Sequence, residues 1–132
     1  MAIQSLSPNL GVKDVDQTVQ FYQDLLGVEL ITSVPAQAEK KPLDWALVQS
    51  GPVTLMFQQE QNLKTEYKNL DEHAVGGAFT LYFTITDFNA VYEKARTMST
   101  ILIEPHKTFY GAMEFALQDP NGYTLTLSES DK

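Results

Sequence analysis

The chain carries one pattern of apolar and polar positions twice. Apolar residues alternate with others through Leu10 and Val12 to Asp14, after which Val15, Val19, Tyr22 and Leu26 recur at helical spacing. The same order returns at Phe83, Ile85 and Asp87, followed by Phe88, Tyr92, Ala95 and Met98. A change of period from 2 to about 3.6 marks a strand giving way to a helix, because strand side chains alternate faces and helix side chains do not. The pattern predicts strands over 6–12 and 79–86 and helices over 15–26 and 88–98. Asp14 and Asp87 stand at the N-cap positions, where a carboxylate accepts from the free amides of the first turn. Gly27 stands where the first helix would end in a left-handed residue.

Three further strands are predicted after each helix, at 28–34, 44–50 and 53–59, and again at 101–104, 112–118 and 123–128. Ser50-Gly51-Pro52 and Asp119-Pro120-Asn121-Gly122 supply the turns between the last two strands of each half. Pro35 to Pro42 reads as a mobile loop and 61–76 as a polar connector, with a helical turn as an option within it. The expected fold is α+β, one domain over 1–132 built from two βαβββ repeats, about 1–60 and 77–130.

Alternation also sorts the strand residues by face. Leu6, Leu10, Val12, Val53, Leu55 and Phe57 are expected against the first helix, and Leu81, Phe83, Ile85, Leu125 and Leu127 on the core face of the second half. The opposite face then carries Ser7, Asn9, Thr54, Met56 and Gln58 in the first half and Thr80, Tyr82, Thr84, Thr124 and Thr126 in the second. Trp45 joins it by register, as does Glu114, and the neighbouring Phe109 and Tyr110 add ring surface. Such a face is too polar for a core and too uncharged for ordinary solvated surface, which suits a small-molecule cleft. The competing reading is a water-facing sheet in which threonine is simply a good strand former. The candidate ligand-binding residues are Ser7, Asn9, Trp45, Thr54, Met56, Thr80, Tyr82, Tyr110, Glu114 and Thr126.

Composition narrows the partners. With 9 Lys+Arg against 17 Asp+Glu in 132 residues, the net charge of −8 repels a phosphate backbone and speaks against nucleic acid. The same field would concentrate cationic small molecules. Apolar residues make up 43% of the chain, yet their longest run is the four from Trp45 to Val48, so no membrane span is expected. The start MAIQSLSPNL lacks a basic and then apolar leader, so a cytoplasmic protein is expected. The absence of cysteine removes thiolate nucleophiles and sulfur metal ligands.

The segments DVDQTVQFYQDLLGVEL (14–30) and YGAMEFALQDPNGYTLTL (110–127) resemble the opening and closing motifs of the vicinal oxygen chelate superfamily. That group includes glyoxalase I, extradiol dioxygenases, fosfomycin-resistance enzymes and bleomycin-resistance proteins. The resemblance implies two βαβββ modules forming a curved mixed sheet around a cleft, commonly in a homodimer, and in catalytic members a divalent metal held by His and Glu. The family's metal positions fall on Ser7, Thr80, Thr54 and Thr126. Hydroxyls are poor ligands for Zn²⁺, Ni²⁺ or Fe²⁺ beside imidazole and carboxylate, so no metal and no cofactor is expected. A two-residue slip in the first module would substitute Met56 for Thr54, with the same outcome. His73 and His106 read as surface residues in the connector and in a loop.

The expectation is therefore a metal-free binder of the bleomycin-resistance type. It would take a planar ligand, with positive charge an option that the acidic balance favours. The alternatives are a lyase, isomerase or dioxygenase with non-standard metal ligands, and a metal-free acid-base enzyme using Glu114.

Overall fold

The computed structural model describes residues 2–130. The chain divides between Val75 and Gly76 into two compact units. The first contains β1 (Asn9–Val12), α1 (Val15–Leu26), β2 (Glu29–Val34), β3 (Trp45–Ser50), β4 (Val53–Gln59), α2 (Glu60–Glu66) and a 3₁₀ turn at Lys68–Leu70. The second contains β5 (Thr80–Ile85), α3 (Phe88–Met98), β6 (Thr100–Lys107), β7 (Met113–Gln118) and β8 (Thr124–Glu129). The strands form two four-stranded mixed sheets, ordered β1-β4-β3-β2 and β5-β8-β7-β6. In each, the first strand runs parallel to the last and the rest are antiparallel. This is the expected pair of βαβββ modules.

Each helix covers one face of its own sheet. Tyr22 of α1 is fully buried with its ring 5.0 Å from that of Phe57 on β4. Phe88 and Tyr92 of α3 meet Phe115 on β7 edge-on, at 5.4 and 5.2 Å. Burying such rings dominates the apolar gain of a small unit, and the edge-to-face pairs add roughly 0.5–1.5 kcal/mol each.

The two helices begin differently. Asp14 has extended backbone and its Oδ1 accepts from the Gln17 amide at 3.0 Å, as a cap should. Asp87 was expected to do the same and does not: its φ of 55° places it in the left-handed region, and its side chain makes no capping bond. An N-cap needs extended φ and ψ to aim its side chain at the first turn. At the other end of α1, Gly27 takes φ 69° and donates to the Gln23 carbonyl.

Other boundaries also moved. The first strand starts at Asn9 rather than 6, so Leu6 is exposed instead of lying under the helix. Pro8 has no amide to give a ladder, though its carbonyl accepts from the Met56 amide at 2.8 Å. Val53, expected in the core, is exposed beside the β3–β4 turn. The 35–42 loop is held near its far end, where Asp16 takes Lys41 Nζ at 2.6 Å and the Leu43 amide at 3.0 Å. β6 continues to Lys107 through two register shifts, so Pro105 and His106 lie in an edge strand rather than a loop. The connector opens as α2, capped by the Gln59 side chain on the amides of Gln61 and Asn62.

The closing turn of the second unit is tied by Asp119. Its buried Oδ1 accepts from the amides of Asn121 at 2.8 Å and Tyr123 at 2.9 Å. Asp119→Ala would strand those amides, at about 1–3 kcal/mol for each donor left unpaired. Urea unfolding should show a loss of that order, and Asp119→Asn, which keeps the oxygen, should recover most of it.

Candidate functional site

The face of the second sheet away from α3 carries the polar cluster. Register places Thr80 beside Thr124, Tyr82 beside Thr126 and Thr84 beside Ser128. β7 then sets Glu114 opposite Ser128 and Ala116 opposite Thr126. Directly opposed residues share a face, so Thr80, Tyr82, Glu114 and Thr126 occupy one surface, as alternation predicts.

Tyr110 reaches the same surface from the turn before β7. Thr108 shapes that turn: its amide donates to the Ala112 carbonyl, and its hydroxyl accepts from the Ala112 amide at 3.0 Å. Gly111 supplies a φ of 89°, which a side-chain-bearing residue rarely adopts. Tyr110 Oη donates to Glu114 Oε2 at 2.6 Å, and Tyr82 Oη donates to the same oxygen. The carboxylate is 7% exposed, whereas Tyr82 and Tyr110 are 54% and 57% exposed. Phe109 is completely exposed, its ring edge-on to Tyr110 at 5.0 Å.

Charge in the cluster follows from these contacts. Burial pushes the Glu114 carboxyl up, but the hydrogen bonds from Tyr110 and Tyr82, the nearby His106 and the Ser128 hydroxyl outweigh it and hold the group below its usual value. Donation to that carboxylate pushes the Tyr110 phenol well above its ordinary range. His106, expected in a loop, stands on β6 directly across from Glu114. A carboxylate held this way is a fixed negative charge and a weak proton acceptor.

The first unit gathers the other five candidates. Asn9 pairs with Met56, Leu47 with Met56, Gln49 with Thr54 and Trp45 with Gln58, placing Asn9, Trp45, Thr54 and Met56 on one face. Ser7 precedes β1, and its hydroxyl is hydrogen-bonded to that of Thr54. Asn9 Nδ2 donates to Gln58 Oε1 at 2.9 Å, and Gln58 Nε2 donates to Asn62 at 2.6 Å and Glu66 at 3.0 Å. The buried Asn9 Oδ1 has no partner among the described residues. Asn62 and Glu66 were missed by sequence reasoning. Their signal is the four-residue spacing between Asn62 and Glu66, which puts both on one face of α2 and is visible only once α2 is recognised as a helix.

Register also relates the two modules at the positions where the family resemblance implies metal ligands. Since Asn9 pairs with Met56 and Tyr82 with Thr126, the counterpart of Thr126 in the first module is Met56, and the counterpart of Thr54 is Thr124. Either assignment offers hydroxyl or thioether, and Ser7 and Thr54 already bond to each other. Among the described residues, no three His, Asp or Glu stand together as a metal would require. This donor set does not fit the divalent metal of the catalytic branches. Among the described residues, one open depression of about 550 Å³ lies beside Asp87, Lys107 and Met113 and reaches Gly111 and Ala112 of the turn that carries Tyr110, and another of about 580 Å³ lies beside Lys13, Asp16 and Lys41.

Comparison with known proteins adds a family and a fold. The model of the Glyoxalase/Bleomycin resistance protein/Dioxygenase superfamily matches residues 4–127. No curated protein matches the chain. A protein of unknown function from Agrobacterium tumefaciens str. C58 is 18% identical with a TM-score of 0.78, over 98% of this chain and 96% of that one. A glyoxalase/bleomycin resistance protein/dioxygenase family enzyme from Burkholderia phytofirmans PsJN is also 18% identical with a TM-score of 0.78, over 96% and 98%. The bleomycin resistance determinant encoded on transposon Tn5 is 20% identical with a TM-score of 0.63, over 98% and 100%.

The depressed Glu114 carboxyl stabilises the fold above its unfolded pKa of about 4.3, and that contribution disappears as pH falls through the folded value. Replacing both Tyr82 and Tyr110 by Phe leaves burial without the two donors. The Glu114 titration followed by NMR should then move upward from wild type. An unmoved titration would show that the phenols do not set the charge.

Proposed function

Because the chain belongs to the Glyoxalase/Bleomycin resistance protein/Dioxygenase superfamily, we propose that it is a metal-independent small-molecule-binding protein, taking a planar and preferentially cationic ligand. The observation that carries this reading is Glu114, a buried carboxylate kept charged beneath two exposed phenol rings. Rings bind planar molecules by stacking, and a fixed negative charge beside them favours a positive one. The net charge of −8 adds long-range attraction for the same class. In the first unit Trp45, the only tryptophan, is half-buried on the polar face beside Gln58. The hydroxyl set at the family's metal positions agrees with binding that needs no metal, and a bleomycin resistance determinant shares the fold.

The acid-base alternative finds less support, because two phenols weaken Glu114 as a base. The metal-dependent alternative would need donors other than those at the family positions. The proposal includes a homodimer acting in the cytoplasm. Edge strands β2 and β6 expose Ile31, Val34, Leu102 and Ile103, the kind of edge that assembly covers.

A panel of planar aromatic cations and matched neutral compounds tests this by Trp45 fluorescence and calorimetry. Saturable binding is expected, unchanged by EDTA, with cations ahead of neutral analogues. Near-stoichiometric Ni, Zn, Mn or Fe in chelator-free protein, or affinity that EDTA abolishes, would overturn it. Light scattering should report a dimer at micromolar concentration; a monomer there would remove the homodimer from the proposal.

A further inference from the structure

Resting on the binding reading above, we propose that the Tyr82–Glu114–Tyr110 cluster selects quaternary or delocalised cations and discriminates against primary ammonium groups. The reason is where the hydrogen bonds already go. Glu114 Oε2 accepts from both phenols, which fills its two lone pairs, and the Ser128 hydroxyl donates to the same carboxyl. The side chain is also buried, so its charge is felt at the surface while Oε2, the oxygen beneath the phenols, is closed to a ligand.

A primary ammonium is a compact, strongly hydrated charge with three donors, and it leaves water only where acceptors replace its hydration. The carboxylate oxygen nearest the rings is already taken, and what the face adds besides rings is the neutral hydroxyls of Thr80, Thr84 and Thr126, weaker acceptors for an ammonium than a carboxylate. Tyr82 and Tyr110 are each more than half exposed, with Phe109 fully exposed beside Tyr110. A ring face attracts a cation without any hydrogen bond. A phenol donating to a carboxylate is polarised toward greater electron density on its ring, which strengthens that attraction. The turn from Thr108 to Ala112 sets the backbone that carries Phe109 and Tyr110, through the Thr108–Ala112 pairing and the Gly111 amide on the Thr108 carbonyl at 3.0 Å, and the bond to Glu114 holds the Tyr110 ring. A quaternary or aromatic cation carries diffuse charge and no donors, so it uses the rings and the buried charge fully and leaves nothing unpaired.

The test is calorimetric titration of the full chain with benzyltrimethylammonium, benzylammonium and neutral benzyl alcohol. The trimethyl compound should bind about tenfold more tightly than the primary amine, the order of one cation–π contact in a partly dry site. In the Tyr82→Phe/Tyr110→Phe double variant the rings remain and Oε2 is released, so the primary amine should gain and the gap should close to about threefold or less. Glu114→Gln should weaken the trimethyl compound and leave benzyl alcohol unchanged. Single Phe variants with wild-type circular dichroism cover the case in which the double variant fails to fold, each closing part of the gap. Equal or tighter binding of benzylammonium by wild type, or a gap that survives removal of both hydroxyls, would overturn the inference. If neutral planar compounds bind and neither cation does, the selectivity and the cationic preference of the proposed function fall, and the binding of planar ligands stands. If a folded protein binds none of the planar compounds, both fall.

Discussion

The parallel pairing of the first strand with the last, in each module, is the constraint on which the remaining structure depends. β1 lies beside β4 and β5 beside β8, so the chain must leave the sheet after one strand and return through a helix. The helix can cover only one face. Leu10, Val12, Phe57, Leu125 and Leu127 are buried there, while the residues between them point to the other side. A module built this way has one face committed to stability and one whose composition is free to serve a ligand.

That freedom explains how a carboxylate can sit nearly buried at the start of β7. An uncompensated charge at 7% exposure would be neutralised by taking up a proton. Tyr82 from edge strand β5, reaching across β8, and Tyr110 from the preceding turn prevent this by donating to one oxygen. The cost of burial is offset within the cluster, and the result is a stable negative charge whose exposed neighbours are aromatic rings. Binding chemistry follows more naturally from this arrangement than proton transfer, because the bonds that keep the charge also lower its basicity.

The repeat, both helices, the hairpins and the division of faces were legible in the chain because each rests on local periodicity. Asp14 as a cap and Gly27 as a terminator were legible for the same reason. Asp87 was not, since its left-handed backbone is imposed where β5 turns into α3, and the side-chain type alone does not reveal φ. Leu6 was misplaced because alternation has no signal for where pairing stops, and Val53 because a position at a hairpin mouth lies beyond the covering helix. The helical turn expected in the connector proved to be the seven-residue α2, whose start was obscured by an N-cap, Gln59, of a type that rarely caps.

For the candidate site, sequence by itself determined which residues face away from the helices: a period of 2 dictates that Tyr82, Glu114 and Thr126 do so wherever the strands lie. It could not determine which of them touch. The two phenols on one carboxylate come from residues 32 and four positions away in the chain, and His106 faces Glu114 only because β6 absorbs two register shifts. Those contacts depend on ladder register and turn shape, which are set by the pairing of whole strands. The charge of Glu114 is therefore a tertiary property, written in residues that sequence could name but not bring together.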